Sequence, residues 1–292
     1  MSSSKKLIGL VAIIILVAPI IYYQNLTQLW MRYELRNEYI VVSLTTTPYR
    51  IHQIQPVIDF IVTENISLNA IYLNVPHYFK RDNLEYKIPQ WLQDNKNITI
   101  LRTEDYGPAT KLLGSLEQAA MPENAIIITV DDDITYPKNL LLYLAYRAYK
   151  NPDKAIGISG MNPHYNKKGQ IITDGSGIGL KANFTNNASV AILEGFGGIA
   201  YRRKFFDNSI FEIVNAPREC INSDDLYLSF YLAHHNIDRK VLRDRNMSLD
   251  YITWNQVVGF DVDALHRLSP TPAERHRACV VFMKQQYPTV VF

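Results

Sequence analysis

The sequence predicts an α/β fold built on a parallel sheet with helices on both faces. Three observations carry that expectation. Four short apolar runs, Tyr39–Thr47, Ala70–Val75, Ile98–Arg102 and Ile126–Val130, are rich in β-branched residues and too short for helices. Helical periodicity lies between them, in His52–Glu64 and Pro108–Ala120. Of the 292 residues, 47% are hydrophobic and 20% charged, enough apolar content for a sizeable core and too much for disorder.

Taken in order, the chain begins with Leu7–Tyr23 (LIGLVAIIILVAPIIYY), almost unbroken apolar residues preceded by Lys5 and Lys6. It is at the short end for a membrane span, and Tyr22, Tyr23 and Trp30 suit a membrane interface. A cleaved signal peptide is the alternative. The absence of a clear Ala-x-Ala site and the length of the run favour an uncleaved signal anchor, with residues 1–6 as a cytoplasmic tail. The anchor makes the membrane a partner. Residues 24–38 are polar with scattered aromatics and read as a short stem. Residues 39–292 follow as one large domain. Six Asn-x-Ser/Thr sequons, at Asn25, Asn65, Asn97, Asn183, Asn187 and Asn246, are consistent with a secretory lumen. The two cysteines, Cys220 and Cys279, leave a single disulfide and two buried thiols equally open. A net charge of +2, with no basic stripe, zinc-finger spacing or P-loop, gives no argument for nucleic acid.

Tyr39–Thr47 is a buried strand that Pro48-Tyr49-Arg50 breaks. His52–Glu64 is a helix with Ile54, Val57, Ile58 and Ile61 on one face. Pro108–Ala120 opens with Pro in its first turn, where Pro is tolerated. Lys111 lies in that turn, where a cation opposes the helix dipole unless something negative faces it. Ile126–Val130 reads as a fully buried central strand. It runs into Asp131-Asp132-Asp133, then Ile134-Thr135-Tyr136-Pro137. Three adjacent carboxylates repel one another, and a divalent cation relieves that repulsion. Mg²⁺ or Mn²⁺ prefers carboxylate oxygens, and the carboxyl end of a strand in an α/β sheet is where ligands bind. The triplet therefore reads as a metal–diphosphate site, with a solvated acidic loop or a structural Ca²⁺ site as the plainer alternatives.

Downstream, Pro137–Lys150 is an amphipathic helix whose tyrosines suit the core. Ala155–Gly160 is a further strand. Asn162–Asn187 is polar and reads as a covering loop region. Val190–Tyr201 passes through Glu194-Gly195-Phe196-Gly197-Gly198, where paired glycines permit a tight turn or a close approach. Ser223-Asp224-Asp225 opens a helix that ends near His234-His235, and either Ser223 or Asp224 can cap it. Val257–Leu268 carries His266.

A β-strand ending in Asp-x-Asp (Asp131 and Asp133), the earlier Gly107-Pro108-Ala109-Thr110-Lys111, the Gly197-Gly198 segment and Asp224-Asp225 occur in the order seen in GT-A-fold glycosyltransferases. The triple-Asp form with Tyr-Pro after it is similar to that of exostosin-like and related Golgi transferases. The resemblance covers roughly residues 39–268. It implies a Rossmann-like nucleotide-binding half fused to an acceptor-binding half. It also implies a nucleotide-diphosphate sugar donor and a glycan or glycoconjugate acceptor. By the same resemblance, Asp131, Asp133 and His266 would hold Mn²⁺ or Mg²⁺. Thr45, Thr47, Arg50, Lys111, Asp131 and Asp132 would bind the nucleotide and its diphosphate. Glu194, Phe196, Gly197 and Gly198 would line the sugar and acceptor. Asp225, ahead of Asp224, would be the general base or acceptor clamp. The transferase would be of the hexosyl or N-acetylhexosaminyl class, single-pass type II, and lumenal in a Golgi if eukaryotic. Two other classes compete. A sugar-phosphate nucleotidylyltransferase usually carries a Gly-rich N-terminal loop, which this chain lacks. A non-catalytic lumenal carbohydrate-binding protein would be expected to lose the aspartate cluster. The dinucleotide fingerprint Gly-x-Gly-x-x-Gly is absent from the first turn.

Overall fold

The structure, a computed structural model, describes residues 19, 22–64, 66–134, 136–165, 171–172, 188–241, 265 and 270–290. The chain divides into two compact units, residues 1–37 and 38–292. In the first unit, residues 22–35 are helical. Among the described residues no helix is long and apolar enough to cross a membrane. The predicted span Leu7–Tyr23 lies almost wholly outside the described residues, as do four of the sequon asparagines. The other two, Asn25 and Asn97, are exposed.

The second unit opens with β1 (Ile40–Thr45), α1 (Gln55–Thr63), β2 (Ala70–Pro76), α2 (Gln90–Gln93), β3 (Thr99–Thr103), α3 (Thr110–Leu116) and β4 (Ile126–Thr129). It continues with α4 (Leu140–Lys150), β5 (Lys154–Gly157), β6 (Gly160–Met161), β7 (His164–Tyr165), β8 (Ile171–Ile172), β9 (Ala188–Ser189), β10 (Ile192–Leu193) and β11 (Ile199–Arg202). The last elements are α5 (Arg218–Ile221), α6 (Asp224–His234), β12 (Asp238–Val241) and α7 (Pro272–Gln286). Eight strands form one sheet in the order β3-β2-β1-β4-β11-β5-β12-β9. The first four are mutually parallel, as the alternation of strands and helices predicts. The sheet as a whole is mixed, because β11 runs antiparallel to both β4 and β5. β10 pairs with β6, and β7 with β8, outside the main sheet.

The strands form where buried apolar runs occur: β4 is buried at all four positions, and β1 at all but Thr45. Ile54, Val57, Ile58 and Ile61 are all buried, as their spacing predicts. Three predicted helices are shorter than expected, the first of them α1, which spans Gln55–Thr63 within the predicted His52–Glu64. Pro108 belongs to a 3-10 turn, Gly107–Ala109, that precedes α3. Α3 then ends at Leu116, and Met121 turns back into the core. Similarly, α4 begins only after Asn139, which adopts a left-handed backbone (φ 66°). Tyr143 and Tyr146 on α4 are buried.

A buried polar network fastens α3 to the sheet. Asn74 Nδ2 donates to Ser43 Oγ (2.8 Å) and to the Leu44 carbonyl (3.0 Å). Ser43 Oγ in turn donates to the Lys111 carbonyl and meets Ser115 Oγ. The approach is closest at Gly114, where an added Cβ would lie 2.4 Å from Asn74 Oδ1 and 2.8 Å from Thr103 Cγ2.

The two cysteines form a disulfide, Cys220–Cys279, with both residues fully buried. It joins α5 to α7 across a sequence separation of 59. Closing a loop of that size stabilises the folded state by about 4 kcal/mol on the chain-entropy account. Urea unfolding with and without reductant is expected to differ by about that amount. Gly114→Ala is expected to cost about 1–3 kcal/mol by overpacking, read from the shift in urea midpoint.

Candidate active site

A cleft of about 590 Å³ opens at the carboxyl ends of all four parallel strands. The chain after β1 contributes Thr45, Thr46, Thr47 and Arg50, and the chain after β2 contributes Phe79, Lys80 and Arg81. Asp105 and Gly107 follow β3, and Asp131–Asp133 follow β4. The far wall comes from Phe196, from the Arg218–Asp225 region and from Arg275 and His276 on α7. Open α/β sheets place ligands at this end because the strand-to-helix turns converge there.

Lys111 sits at the centre of the charge pattern. It is buried, with Nζ 2.8 Å from Asp131 Oδ1 and 3.3 Å from Asp224 Oδ2. Burial opposes its charge. The neighbouring Asp131, Asp224 and Asp225 outweigh burial and hold its pKa well above the usual lysine range. Lys111 is therefore an ammonium facing carboxylates, which resolves the conflict with the helix dipole noted in the sequence. It is not a solvent-facing helix residue.

The other two acids of the triplet turn to Arg50. Its Nε and Nη2 fork onto Asp132 at 3.1 and 2.9 Å, and its Nη1 reaches Asp133 at 2.9 Å. Planar guanidinium suits this double engagement. Asp133 is nonetheless pushed up to about 7, by burial first and then by the charges of Asp132 and Asp131. The Asp131 N–H donates to the Tyr136 hydroxyl (2.8 Å), which fixes the start of the turn. Burial and the charge of Asp131 keep the Tyr136 phenol well above its usual range, hence protonated. Among the described residues, no three acidic, histidine or cysteine side chains are already grouped as a metal-ligand set.

Both acids of the α6 start line the cleft. They lie in the first helical turn, and the Ser223 side chain makes no capping hydrogen bond. Asp225 Oδ1 accepts the Gly195 N–H at 2.9 Å. Its carboxyl is held well above the usual carboxylate range by burial and by Asp224, against Lys111 and the Gly195 N–H. A Cβ at Gly195 would come within 2.9 Å of both Asp225 Oδ1 and Lys111 Nζ, so only glycine fits there without a shift.

The glycine segment reaches the cleft only in part. Of Glu194, Phe196, Gly197 and Gly198, only Phe196 lines the cleft. Glu194 is buried and accepts a hydrogen bond from Ser159 Oγ at 2.6 Å, so its carboxylate serves the fold. Gly197 packs on Ile158 and Ser159, and Gly198 takes a positive φ of 83° against Leu144. Both glycines are there for close packing and the turn. Thr45 and Thr47 do line the cleft, and the Thr45 hydroxyl donates to the Asn74 carbonyl (2.8 Å). His266 and most of the predicted covering loop lie outside the described residues.

Several cleft residues had no part in the sequence reading. After β2, Phe79 packs edge-on against Tyr49 and Tyr86, with the Arg81 guanidinium 4.8 Å from its ring centroid. Tyr86 donates its hydroxyl to the Thr46 carbonyl (2.9 Å). The signal was available, since Pro76-His77-Tyr78-Phe79 ends a parallel strand. On α7, Arg275 donates to the carbonyls of Pro270 (2.6 Å) and Leu265 (2.7 Å). Beside it, His276 has a buried Nδ1 with no hydrogen-bond partner. Its pKa is pushed down to about 4 by burial and then by the charge of Arg275. No sequence pattern marks α7 as part of the site.

No protein-family model matches this chain, and no curated protein matches it.

Two outcomes are expected. The folded pKa of His276 lies below its unfolded value of 6.5, so the unfolded chain takes up that proton first. Stability from this group is present at neutral pH and is lost as pH falls from about 6.5 through about 4. His276→Asn should flatten that part of the stability curve, measured by urea unfolding. Lys111→Met leaves Asp131 and Asp224 without their shared cation and should cost about 3–5 kcal/mol. Adding Asp131→Asn should restore part of the loss.

Proposed function

We propose that this chain is a metal-dependent glycosyltransferase of GT-A type, moving a sugar from a nucleotide-diphosphate donor to a hydroxyl of a glycan or glycoconjugate. One observation carries the reading. A three-aspartate turn and a second acid pair meet in one cleft at the ends of four parallel strands, joined by a buried ammonium.

The residues fit a divalent cation. Asp131 and Asp133 offer hard carboxylate oxygens, and one or two carboxylates plus substrate phosphates is the usual Mg²⁺ set. The pKa of Asp133 is raised by burial first and then by the charges of Asp132 and Asp131, and a cation would relieve the latter part. The partnerless ring nitrogen of His276 is a further donor in the same cleft. When bound, the cation would neutralise charge on the departing nucleoside diphosphate.

The chain's own groups do the rest. Thr45, Thr47, Phe79 and Tyr86 form one wall and would bracket base and ribose. Arg50 and the permanently charged Lys111 would hold the diphosphate. Phe196 would stack on the donor sugar. Asp225 lines the cleft with its carboxyl held above the usual range by burial and by Asp224, and is the group proposed as base. It would take the acceptor's hydroxyl proton as the new carbon–oxygen bond forms. The bond from the anomeric carbon to the bridging phosphate oxygen breaks in the same exchange, and its electron pair leaves on that oxygen with the diphosphate. Asp224 would clamp the acceptor.

The test is thermal shift of the full chain in detergent with UDP-, GDP- and CMP-sugars, with and without Mn²⁺. Stabilisation by one nucleotide class that needs Mn²⁺ and disappears in Asp133→Ala is expected. A well-folded chain that answers no nucleotide sugar would sink the transferase reading. Asp225→Asn should lower turnover by at least about 100-fold while the donor-induced shift persists.

A further inference from the structure

The helix over residues 22–35 presents an uncovered apolar face. Tyr22, Tyr23, Leu26, Leu29, Trp30 and Tyr33 are 67, 69, 45, 58, 49 and 60% exposed. At about 100° per residue, these six positions fall within one arc of about 120°. No other residue of the helix lies inside that arc. The rest of the circumference carries Gln24, Asn25, Thr27, Gln28, Arg32 and Glu34, together with the buried Met31 and Leu35. Isolated exposed apolar residues are ordinary, but six on one stripe call for an occupant.

Two facts choose among occupants. Four of the six residues are tyrosine or tryptophan, which have an apolar body and a polar tip and favour the boundary between lipid and water. The stripe also begins inside the 17-residue run Leu7–Tyr23, since Tyr22 and Tyr23 are its last two residues. The chain thus arrives at the stripe directly from its most apolar segment. A second crossing is excluded by length and polarity. Residues 22–35 reach about 21 Å, short of the roughly 30 Å of a hydrocarbon core, and the six polar side chains off the stripe would be stranded in lipid. Arg32 and Arg36 lie within this segment and its end, as suits anionic headgroups.

We infer that residues 22–35 form an amphipathic helix lying in the plane of a bilayer surface, with the Tyr22–Tyr33 stripe in the headgroup boundary. The segment is then a membrane contact in its own right and not a passive stem. The inference rests on the reading of Leu7–Tyr23 as membrane-inserted, and the experiment separates the two.

The full chain, with its native disulfide intact, is reconstituted in phosphatidylcholine vesicles containing some phosphatidylserine. One cysteine is added per variant and labelled with an environment-sensitive dye. Leu29→Cys reports the stripe, Gln28→Cys the opposite face and Ala12→Cys the apolar run. Lipids carry a nitroxide quencher either near the headgroup or at the bilayer centre. Leu29→Cys should be quenched several-fold more than Gln28→Cys by the headgroup quencher, and little by the central one. Equal quenching at the two positions, or none at either, would overturn the inference. Efficient Leu29→Cys cross-linking between two copies without quenching would overturn it in favour of self-association. The Ala12→Cys signal with the central quencher reports the anchor separately, so loss of that signal alone marks failure of the anchor reading.

Discussion

One buried ammonium organises this molecule. Lys111 joins the end of β4, through Asp131, to the start of α6, through Asp224. Removed from water, neither the lysine nor the two acids would be tolerable alone. Together they require three segments, far apart in sequence, to arrive at one point. The surroundings are arranged to permit this. Asn74, Ser43 and Ser115 set the height of α3 above the sheet, and Gly114 lets it approach that closely. Gly195 leaves the room that Asp225 and Lys111 occupy, and its N–H holds Asp225. The charge cluster and the packing beneath it are one construction.

Four of the six acids in the cleft are shared between two kinds of cation. Lys111 is a compact point charge and serves two carboxylates from different elements. Arg50 is a planar fork and grips two neighbours on one turn. The difference matters for what a ligand can displace. Arg50 lies on a short turn after β1, while Lys111 is locked in a helix. An incoming anion or cation meets a forked cation on one side and a point charge on the other. Asp133 keeps a raised pKa beside Arg50, by burial first and then by its two acidic neighbours.

Much of this was legible in the sequence because hydrophobic runs and charge clusters are local signals. The four parallel strands, the buried face of α1 and the importance of Asp131, Lys111 and Arg50 all follow from contiguous residues. What was not legible depends on three-dimensional neighbours. Glu194 looks like a ligand-facing acid beside paired glycines, yet Ser159, 35 positions earlier, claims it. Phe79 and Tyr86 look like ordinary loop aromatics until the chain folds them beside Thr46. Arg275 and His276 reach the cleft only because α7 is bound to α5, and sequence spacing carries no trace of that. The antiparallel placement of β11 is similar, since a four-residue buried strand reads the same in either direction.

The Cys220–Cys279 bond makes a covalent ring of the segment between them. That ring contains Asp224, Asp225 and all of α6, while Arg275 and His276 lie on its closing arm. A single backbone cut anywhere inside the ring leaves one molecule, with both cut ends still tethered. Nicked protein would separate into fragments only after reduction, so this wall of the cleft can outlive the continuity of the chain that built it.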